Sequence, residues 1–284
     1  MDRVENYVST HRVGRATVSQ INDGVGGWTP QLSAPEAEWR AALPEADERG
    51  YVENDHYSGL IKIGDARILV DVGFDDPSSS SSFMAPRYRR TPGVTAGLAA
   101  LGVRPEEVTQ VLFTHHHGDH VAGATVGGRA RFPKARHFIG RADWESNPAR
   151  DRPESLEAIH LGGLDRLHLL ELVDGEREIV PGVTMIHAPG ESPGHSVVRV
   201  QDSGATAFYV GDLFHFPCEV EHLDWVSPGR DPISARRSRE RLLAEAASRR
   251  ALVTFSHAKF PGWGWVERRG DGYVWRPLPG QAMT

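Results

Sequence analysis

Residues 109–123 (TQVLFTHHHGDHVAG) contain four histidines and an aspartate within six consecutive positions, directly after a short apolar run. Neutral imidazole and carboxylate are ligands that Zn²⁺ accepts, and Mn²⁺ and Fe²⁺ accept them too. Alternate residues of an extended segment share one face, so His115 and His117 can converge on one ion. Asp119 and His120, after a tight turn at the intervening glycine, can address a second ion. The spacing predicts a metal-binding loop; the alternative is a histidine-rich surface loop that binds metal adventitiously.

Three further metal-competent side chains stand next to strand-like runs elsewhere in the chain. His195 follows Pro-Gly at the start of one run, Asp212 ends the run AFYVGD, and His257 ends the run LVTFSH. Strands of one sheet can deliver such residues to a common edge. We therefore expect these three side chains to join the histidine-rich loop at one rim of the fold.

The elements that must position these residues are short strands with helices between them. Short or alternating apolar runs predict strands, and Gly-Asp turns predict two hairpins. The predicted strands cover residues 15–23, 57–73 (a hairpin), 108–114, 134–140, 183–190, 196–202, 205–212, 250–257 and 265–278 (a closing hairpin). Residues 92–102 and 232–250 are predicted helices, the second because Leu242 and Ala246 share an apolar side opposite many charges. Without a fixed-period repeat or an evident linker, we expect one domain of mixed α/β or α+β class over residues 1–284.

Composition excludes several classes of protein. The net charge of −6 and the pI near 6.2 argue against a nucleic-acid surface, which needs clustered positive charge. The single cysteine, Cys218, excludes a disulfide framework and a cysteine-based zinc cluster, and we expect it to be a buried apolar residue. No apolar run approaches the roughly 18 residues of a membrane span, and the start lacks an apolar leader. We expect a cytoplasmic protein with a small-molecule partner and no membrane contact; a homodimer is compatible with the sequence.

The order His-x-His-x-Asp-His, then His, then Asp, then His resembles the metallo-β-lactamase-fold hydrolases. The resemblance runs from the strand ARILVDVG to the segment SHAKFPGWGWV, which is most of the chain. It implies a four-layer αβ/βα sandwich with a dinuclear metal site at one edge of the two sheets. It also implies a role for each motif residue: His115, His117 and His195 hold one ion, Asp119, His120 and His257 hold the other, Asp212 bridges the two, and Asp71 supports the site from the strand beneath the motif.

The residue types also favour one branch of that family. The bridging position of Asp212 resembles glyoxalase II, quorum-quenching lactonases and methyl parathion hydrolase-like enzymes. The stretches GDLFHFPCEVEHLDW and FPGWGWVERRGDGYVWRPL look most like the last two groups. One departure concerns Glu191, which stands where related lactonases often have the first histidine of Gly-His-Thr-Pro-Gly-His. Because His195 is retained, this departure concerns the loop and the substrate rather than the metals.

The resemblance implies a hydrolase that cleaves a small ester or lactone. Two divalent ions, with zinc expected and Mn²⁺ or Fe²⁺ as alternatives, would lie about 3.5–4 Å apart and share a bridging hydroxide. Asp119 would carry a proton from the hydroxide to the leaving group. The alternatives are a phosphotriesterase-like hydrolase, a nuclease and a diiron redox protein of the same fold. The acidic net charge disfavours the nuclease, and the lack of room for a flavin domain disfavours the redox protein.

The substrate pocket is less defined by the sequence than the metal site. Phe214, His215 and Trp263 flank the motifs and are candidate pocket residues. The Ser-rich residues 74–90 are a candidate flap, with a surface loop of no catalytic role as the alternative. The other histidines, His56 among them, have no ligand spacing and are expected to be structural.

Overall fold

The fold is two facing sheets with helices on both outer surfaces. The computed structural model describes residues 4–74, 89–90 and 92–279. Residues 75–88 of the predicted flap lie outside the described residues, so that prediction stands as made.

The first sheet comes from the N-terminal part of the chain. Its strands are β1 (Val8–Val13), β2 (Ala16–Trp28), β3 (Val52–Ile63), β4 (Ala66–Val70), β5 (Arg89–Arg90), β6 (Gln110–Leu112), β9 (Arg136–Gly140) and β10 (Leu170–Val173), while β7 (Thr125–Val126) and β8 (Arg129–Ala130) form a separate small hairpin. Among the described residues the order is β1-β2-β3-β4-β6-β9-β10, with β5 beside β2. β4, β6, β9 and β10 pair in parallel, and the other pairings are antiparallel. Parallel neighbours send their carboxyl ends, and the loops that follow, to one edge.

The second sheet comes from the C-terminal part and follows the chain order. Its strands are β11 (Glu176–Val180), β12 (Val183–His187), β13 (Ser196–Asp202), β14 (Ala205–Tyr209), β15 (Leu252–Thr254), β16 (Trp263–Arg269) and β17 (Gly272–Pro277). β14 and β15 are parallel neighbours, and the helix between them supplies the crossover.

Helices fill the connections between these strands. The α-helices are α1 (Glu36–Ala42), α2 (Gly93–Ala100), α3 (Gly118–Val121), α4 (Arg141–Glu145), α5 (Leu156–Arg166) and α6 (Pro232–Arg249), and short 3₁₀ turns occur at Val4–Asn6, Pro105–Glu107, Pro148–Asp151, Gly211–Leu213 and Pro217–Val220. Helix α6 begins where the Asp231 side chain accepts hydrogen bonds from two backbone N–H groups of the first turn.

Alternation along the strands divides the core into three layers. Ile68 and Val70 of β4 point between the two sheets, whereas Leu69 points toward the helices on the outer face of the first sheet. On the other side, Leu242 and Leu243 of α6 pack on the outer face of the second sheet. The layer order is therefore helix, sheet, sheet, helix. The predicted αβ/βα sandwich is confirmed.

The predicted strands and helices are all present, but the structure adds elements that were not predicted, among them β1, β10, β11, α1 and α4, and it differs in two further features. The strand predicted at residues 15–23 continues to Trp28, where it pairs with the start of β3 at Val52. Helix α5 was not predicted, because its two glycines have low helix propensity and weaken its pattern. Its N-cap Ser155 accepts a hydrogen bond from the Ala158 N–H at 3.0 Å and marks where the helix begins.

Candidate metal centre

The histidine-rich loop leaves the carboxyl end of β6 and is held from below by Asp71. Asp71 accepts hydrogen bonds from both the backbone N–H and the hydroxyl of Thr114, each at 2.8 Å. Its second oxygen lies 2.8 Å from Nδ1 of His120, which donates to it. This contact turns Nε2 of His120 away from Asp71 and toward the centre. Asp71 has a φ of 54°, an unusual conformation for a non-glycine residue that these contacts keep in place.

Gly118 does not serve the turn in the way that the sequence suggested. Its φ is not positive, and it opens helix α3 in an ordinary helical conformation. A Cβ at this position would meet Cδ1 of Leu156 at 2.5 Å. Gly118 therefore lets α5 approach the loop closely. The sequence suggested a different reason for the glycine, a tight turn of the backbone, and that reason is wrong.

One group of donor atoms gathers around His115. Nε2 of His115 lies 2.8 Å from Nδ1 of His117 and 3.7 Å from a carboxylate oxygen of Asp212. Nδ1 of His117 also lies 3.3 Å from Oε1 of Glu191. Donor atoms of these four residues are all within 4.8 Å of one another, close enough for a single ion.

His195 borders this first group. Its Nδ1 lies 3.1 Å from the carbonyl oxygen of Ala188, to which it donates, so Nε2 carries the lone pair. Nε2 accepts a hydrogen bond from the backbone N–H of Asp212 at 3.2 Å, and the ring centroid of His195 is 5.3 Å from that of His115. His195 is therefore beside the first group, in the tautomer that a metal ligand requires, although its Nε2 is not among the four clustered donor atoms.

A second group lies on the other side of Asp212. Nε2 of His257 is 3.2 Å from Oδ2 of Asp212 and 3.4 Å from Oδ2 of Asp119. Nε2 of His120 is 3.4 Å from Oδ1 of Asp212 and 3.5 Å from Oδ2 of Asp119. The same Asp119 oxygen lies 3.2 Å from Nδ1 of His56. Asp212 thus stands between the two groups and faces both.

The approach of Asp212 to the histidines requires the glycine before it. Gly211 has a φ of 57°, which glycine adopts readily. A Cβ there would lie 2.8 Å from Nε2 of His195 and 2.9 Å from Cβ of Thr114. A larger residue at 211 would therefore push apart the three segments that meet at the centre.

The histidines of the first group are held neutral. Burial lowers the pKa of His115 well below its ordinary value, and the nearby His120 and His117 lower it further. Burial, together with His116, lowers the pKa of His117 to about 3, and burial lowers that of His195 to about 4. Neutral imidazoles with an available lone pair are the form that binds a metal ion.

In the second group, the carboxylates raise the pKa of a histidine instead of leaving it low. Burial opposes a charge on His120, but Asp212, Asp119 and Asp71 outweigh it and raise the pKa of His120 well above its ordinary value. Burial likewise opposes ionisation of Asp119, but His120, His56 and His257 lower its pKa well below the ordinary range. A field that favours a proton on His120 also favours a divalent cation in its place.

The geometry of the facing atoms fits metal ions between them. Among the described residues, Nε2 of His120 and Oδ1 of Asp212 are buried and make no hydrogen bond, although they face each other at 3.4 Å. Buried polar atoms are normally paired. An oxygen and nitrogen donor set of this kind, with no thiolate, suits Zn²⁺, Mn²⁺ or Fe²⁺.

The three candidate pocket residues lie in different parts of the structure, one at the centre and two in the core. Nε2 of His215 lies 3.4 Å from Asp212, and Asp212 and Glu191 overcome the effect of burial to raise the pKa of His215 to about 9. The prediction for Phe214 is corrected, because its side chain is fully buried in the core against the second sheet. Trp263 is corrected as well, since it is 1% exposed in the core between the sheets and donates from Nε1 to Ser9.

Two residues at the centre were missed or undervalued from the sequence. His56 had no ligand spacing, yet it contacts Asp119. The available signal was the polar run Asn54-Asp55-His56 inside a strand, because buried polar residues in a strand need a specific partner. Glu191 was noted as a departure in the loop, and the structure brings its carboxylate into the first donor group.

Comparison with known proteins places the chain in a family. The model of the metallo-beta-lactamase superfamily matches residues 52–257, and the chain belongs to this superfamily. An N-acyl homoserine lactonase of Bacillus cereus is 25% identical over 213 residues, which cover 70% of this chain and 79% of that protein. A probable metallo-hydrolase of Mycobacterium tuberculosis is 27% identical over 179 residues, 55% of this chain and 56% of that protein. The predicted family is confirmed.

Solved structures show the same fold along nearly the whole chain. AidC, described as a dizinc quorum-quenching lactonase in complex with a product, superposes with a TM-score of 0.79 at 22% identity and covers 97% of this chain and 99% of its own. AbOPH, described as a hydrolase in the beta lactamase superfamily, has a TM-score of 0.76 at 22% identity with the same coverage. Within the described part of the chain, no helix is long and apolar enough to cross a membrane.

Proposed function

We propose that this protein is a dinuclear, zinc-dependent hydrolase that cleaves a small ester or lactone. The observation that carries the proposal is the position of Asp212, whose Oδ2 lies 3.7 Å from His115 on one side and 3.2 Å from His257 on the other. A carboxylate between two groups of imidazoles suits a pair of ions that share one ligand. The lactonase named among the relatives supports the choice of ester bond.

The residues divide the work between the two groups. His115, His117 and His195 would hold one ion, Asp119, His120 and His257 the other, and Asp212 both. Two divalent ions held there would supply a water whose pKa is lowered toward about 7 and positive charge for the carbonyl oxygen of the substrate. Asp71 holds the ring of His120 in the orientation that this arrangement needs.

Asp119 is the proposed proton carrier. Its side chain is 13% exposed, more than that of His120 or Asp212, so it faces the side from which a substrate can enter. His56 and His257 hold its Oδ2 at 3.2 and 3.4 Å, which leaves the other oxygen to accept and deliver a proton. This role matches cleavage of an ester or lactone, because an alkoxide leaving group needs a proton.

Metal analysis combined with a substrate panel tests the proposal. Protein purified without chelator should contain close to two equivalents of zinc by elemental analysis. It should hydrolyse a γ-lactone and an aryl ester, with a phosphotriester and a single-stranded RNA as comparison arms. Asp212→Asn, made in parallel, shows whether any turnover comes from a contaminating enzyme.

Three results would contradict the proposal. One equivalent of metal or less after supplementation would remove the dinuclear centre. Faster turnover of the phosphotriester than of either ester would move the protein to the phosphotriesterase-like alternative. Cleavage of the RNA, lost in Asp212→Asn, would favour the nuclease.

A further inference from the structure

The carboxylate of Glu191 is presented to the metal centre by a loop that is fixed on both sides of this residue. The loop joins β12 to β13. Before Glu191, the carbonyl oxygen of Gly190 accepts a hydrogen bond from the backbone N–H of Asp231 at 3.0 Å. After it, the hydroxyl of Ser192 donates to Asp143 at 2.7 Å. The backbone at Glu191 is therefore held in place, and its side chain has a defined direction.

The side chain of Glu191 points into the centre instead of toward solvent. It is 3% exposed, and its Oε1 lies 3.3 Å from Nδ1 of His117. Four ligands at about 2.1 Å from one zinc ion, in a tetrahedral arrangement, lie about 3.4 Å apart. The contact between Glu191 and His117 has this spacing, so one ion can bind both side chains. His115 and Asp212 complete the set of four residues whose donor atoms lie within 4.8 Å of one another.

An ion pair with Arg230 leaves Glu191 able to bind an ion. Nε of Arg230 donates to Oε2 of Glu191 at 2.5 Å, and Nη2 approaches Oε1. Each carboxylate oxygen has two lone pairs, so Oε1 can face both Arg230 and an ion beside His117. Burying an ion pair costs desolvation energy. The side chain of Arg230 is 25% exposed, so the pair alone could form nearer to solvent without bringing a carboxylate to His117.

His195 does not take the place that Glu191 occupies in this cluster. Its Nε2 accepts a hydrogen bond from the backbone N–H of Asp212 at 3.2 Å. Among the described residues, the fourth clustered donor atom of the first group comes from Glu191 and not from His195. The first group thus brings two imidazoles and two carboxylates together.

We propose that Glu191 is a protein ligand of the first ion, together with His115, His117 and Asp212 and with His195 beside them. The inference rests on the proposed function, in which the centre holds two ions. Imidazole suits zinc, whereas carboxylate also suits Mn²⁺. A second carboxylate therefore widens the range of ions that this position accepts, and Arg230 offsets part of its negative charge.

Competition with a chromophoric chelator tests the role of Glu191 as a ligand. In Glu191→Gln the affinity for one of the two zinc equivalents should fall by more than the roughly 10- to 100-fold that loss of a residue supporting a ligand causes. Arg230→Gln removes the other half of the ion pair and is the matched control. It should leave the affinity for that equivalent unchanged or higher. Equal weakening by the two variants would mean that the pair only fixes the loop, and would overturn the inference.

The double variant Glu191→Gln/Arg230→Gln separates a lost ligand from an unpaired charge. It removes both charges of the pair, so its net charge equals that of the wild type. It also remains usable if Glu191→Gln fails to fold because Arg230 is left unpaired. The affected zinc equivalent should stay weakened by about tenfold or more. Full recovery of the affinity would assign the loss to the unpaired Arg230 and overturn the inference.

The choice of metal distinguishes a direct bond from a loosened loop. Because the imidazoles that remain suit zinc better than Mn²⁺, Glu191→Gln should lower the affinity for Mn²⁺ by a larger factor than the affinity for zinc. A loosened loop would lower both affinities by the same factor, and that result would contradict the proposal. Arg230→Gln should leave the ratio of the two affinities unchanged.

The outcomes for the wild type separate this inference from the proposed function. Two zinc equivalents that Glu191→Gln leaves unchanged would overturn the inference and leave the proposed function standing. A single equivalent would overturn the dinuclear function; its weakening in Glu191→Gln would still support the ligand role, and no change would overturn it. No bound zinc would overturn both. Because each measurement concerns binding, an absence of ester or lactone hydrolysis does not affect the test.

Discussion

The two sides of the metal centre differ in their charged residues and in the volume of the neighbouring cavity. On the Glu191 side, defined by His117, Glu191 and Arg230, the Glu191 carboxylate forms an ion pair with Arg230 and lies 3.3 Å from His117. The cavity that borders Glu191, Arg230 and Asp212 there has a volume of only about 10 Å³. On the His56 side, defined by His56, Asp119 and His257, the neighbouring cavity is about 160 Å³.

This difference indicates which side of the centre binds substrate and which side only supports the ligands. The Glu191 side, here called the closed side, has an ion-paired carboxylate and only this small cavity among the described residues, although the His117 side chain itself is 30% exposed. The His56 side, here called the open side, contains the carboxylate proposed to move a proton and the larger of the two cavities. Binding and proton transfer are therefore expected on one side of Asp212, and rigid support on the other.

The largest expected effect comes from the carboxylate of the open side. Asp119→Asn keeps an oxygen for the metal but cannot carry a proton. Turnover of a γ-lactone or alkyl ester should fall about 10²- to 10⁴-fold, since the alkoxide needs protonation. Turnover of a 4-nitrophenyl ester, whose phenolate leaves unaided, should fall only mildly. The measurement compares the two rates at matched metal occupancy.

Asp212→Asn is the control for that experiment. Loss of the charge that faces both groups should weaken metal binding and reduce turnover of both substrates alike. If Asp119→Asn also shows equal losses for the two leaving groups, Asp119 is a ligand and not a proton carrier.

A smaller effect is expected from Asp71, which supports the open side from below. In Asp71→Asn one of the three donors now served by the carboxylate, either a Thr114 group or Nδ1 of His120, would face an amide NH₂. The altered ring of His120 should weaken metal affinity about 10- to 100-fold, as loss of such a partner usually does. Competition with a chromophoric chelator should show one weakened equivalent and one unchanged. Uniform weakening of both would remove the distinction between the sides.

The smallest effect is expected from Asp143, which supports the closed side. Asp143 accepts hydrogen bonds from the Gly194 N–H at 2.5 Å and the Ser192 hydroxyl at 2.7 Å, and so holds the loop before His195 rather than a ligand ring. Asp143→Asn should weaken one metal equivalent less than Asp71→Asn does, by roughly tenfold or less. The same chelator competition measures it, and a loss greater than that of Asp71→Asn would reverse the proposed order.

The sequence predicted those features that depend on neighbouring residues. His115, His117, Asp119 and His120 lie in one loop, so their spacing alone indicated a metal site. The strands and helices followed from apolar runs that fill a strand or one face of a helix, whereas their arrangement in layers was implied by the family resemblance. The contribution of His56 depends on the pairing of β3 with β2 and on the approach of α3, and no local pattern records contacts over such separations.

The pocket residues show a second limit of sequence reasoning. Phe214 and His215 are consecutive, yet Phe214 points into the core and His215 points to Asp212. An aromatic residue beside a motif has no local feature that reveals which way its side chain points.

The donors at the centre come from both sheets, and this has a consequence for the folding equilibrium. His56 and the histidine-rich loop belong to the first sheet, whereas His195, Asp212 and His257 belong to the second. The complete set of ligands exists only while the two sheets are docked, so ions bound there act as a reversible cross-link across the sandwich. Since such ions bind the folded chain in preference to the unfolded one, free metal concentration enters the stability of the protein directly. A low concentration of free metal would then lower the free energy of unfolding as well as the activity.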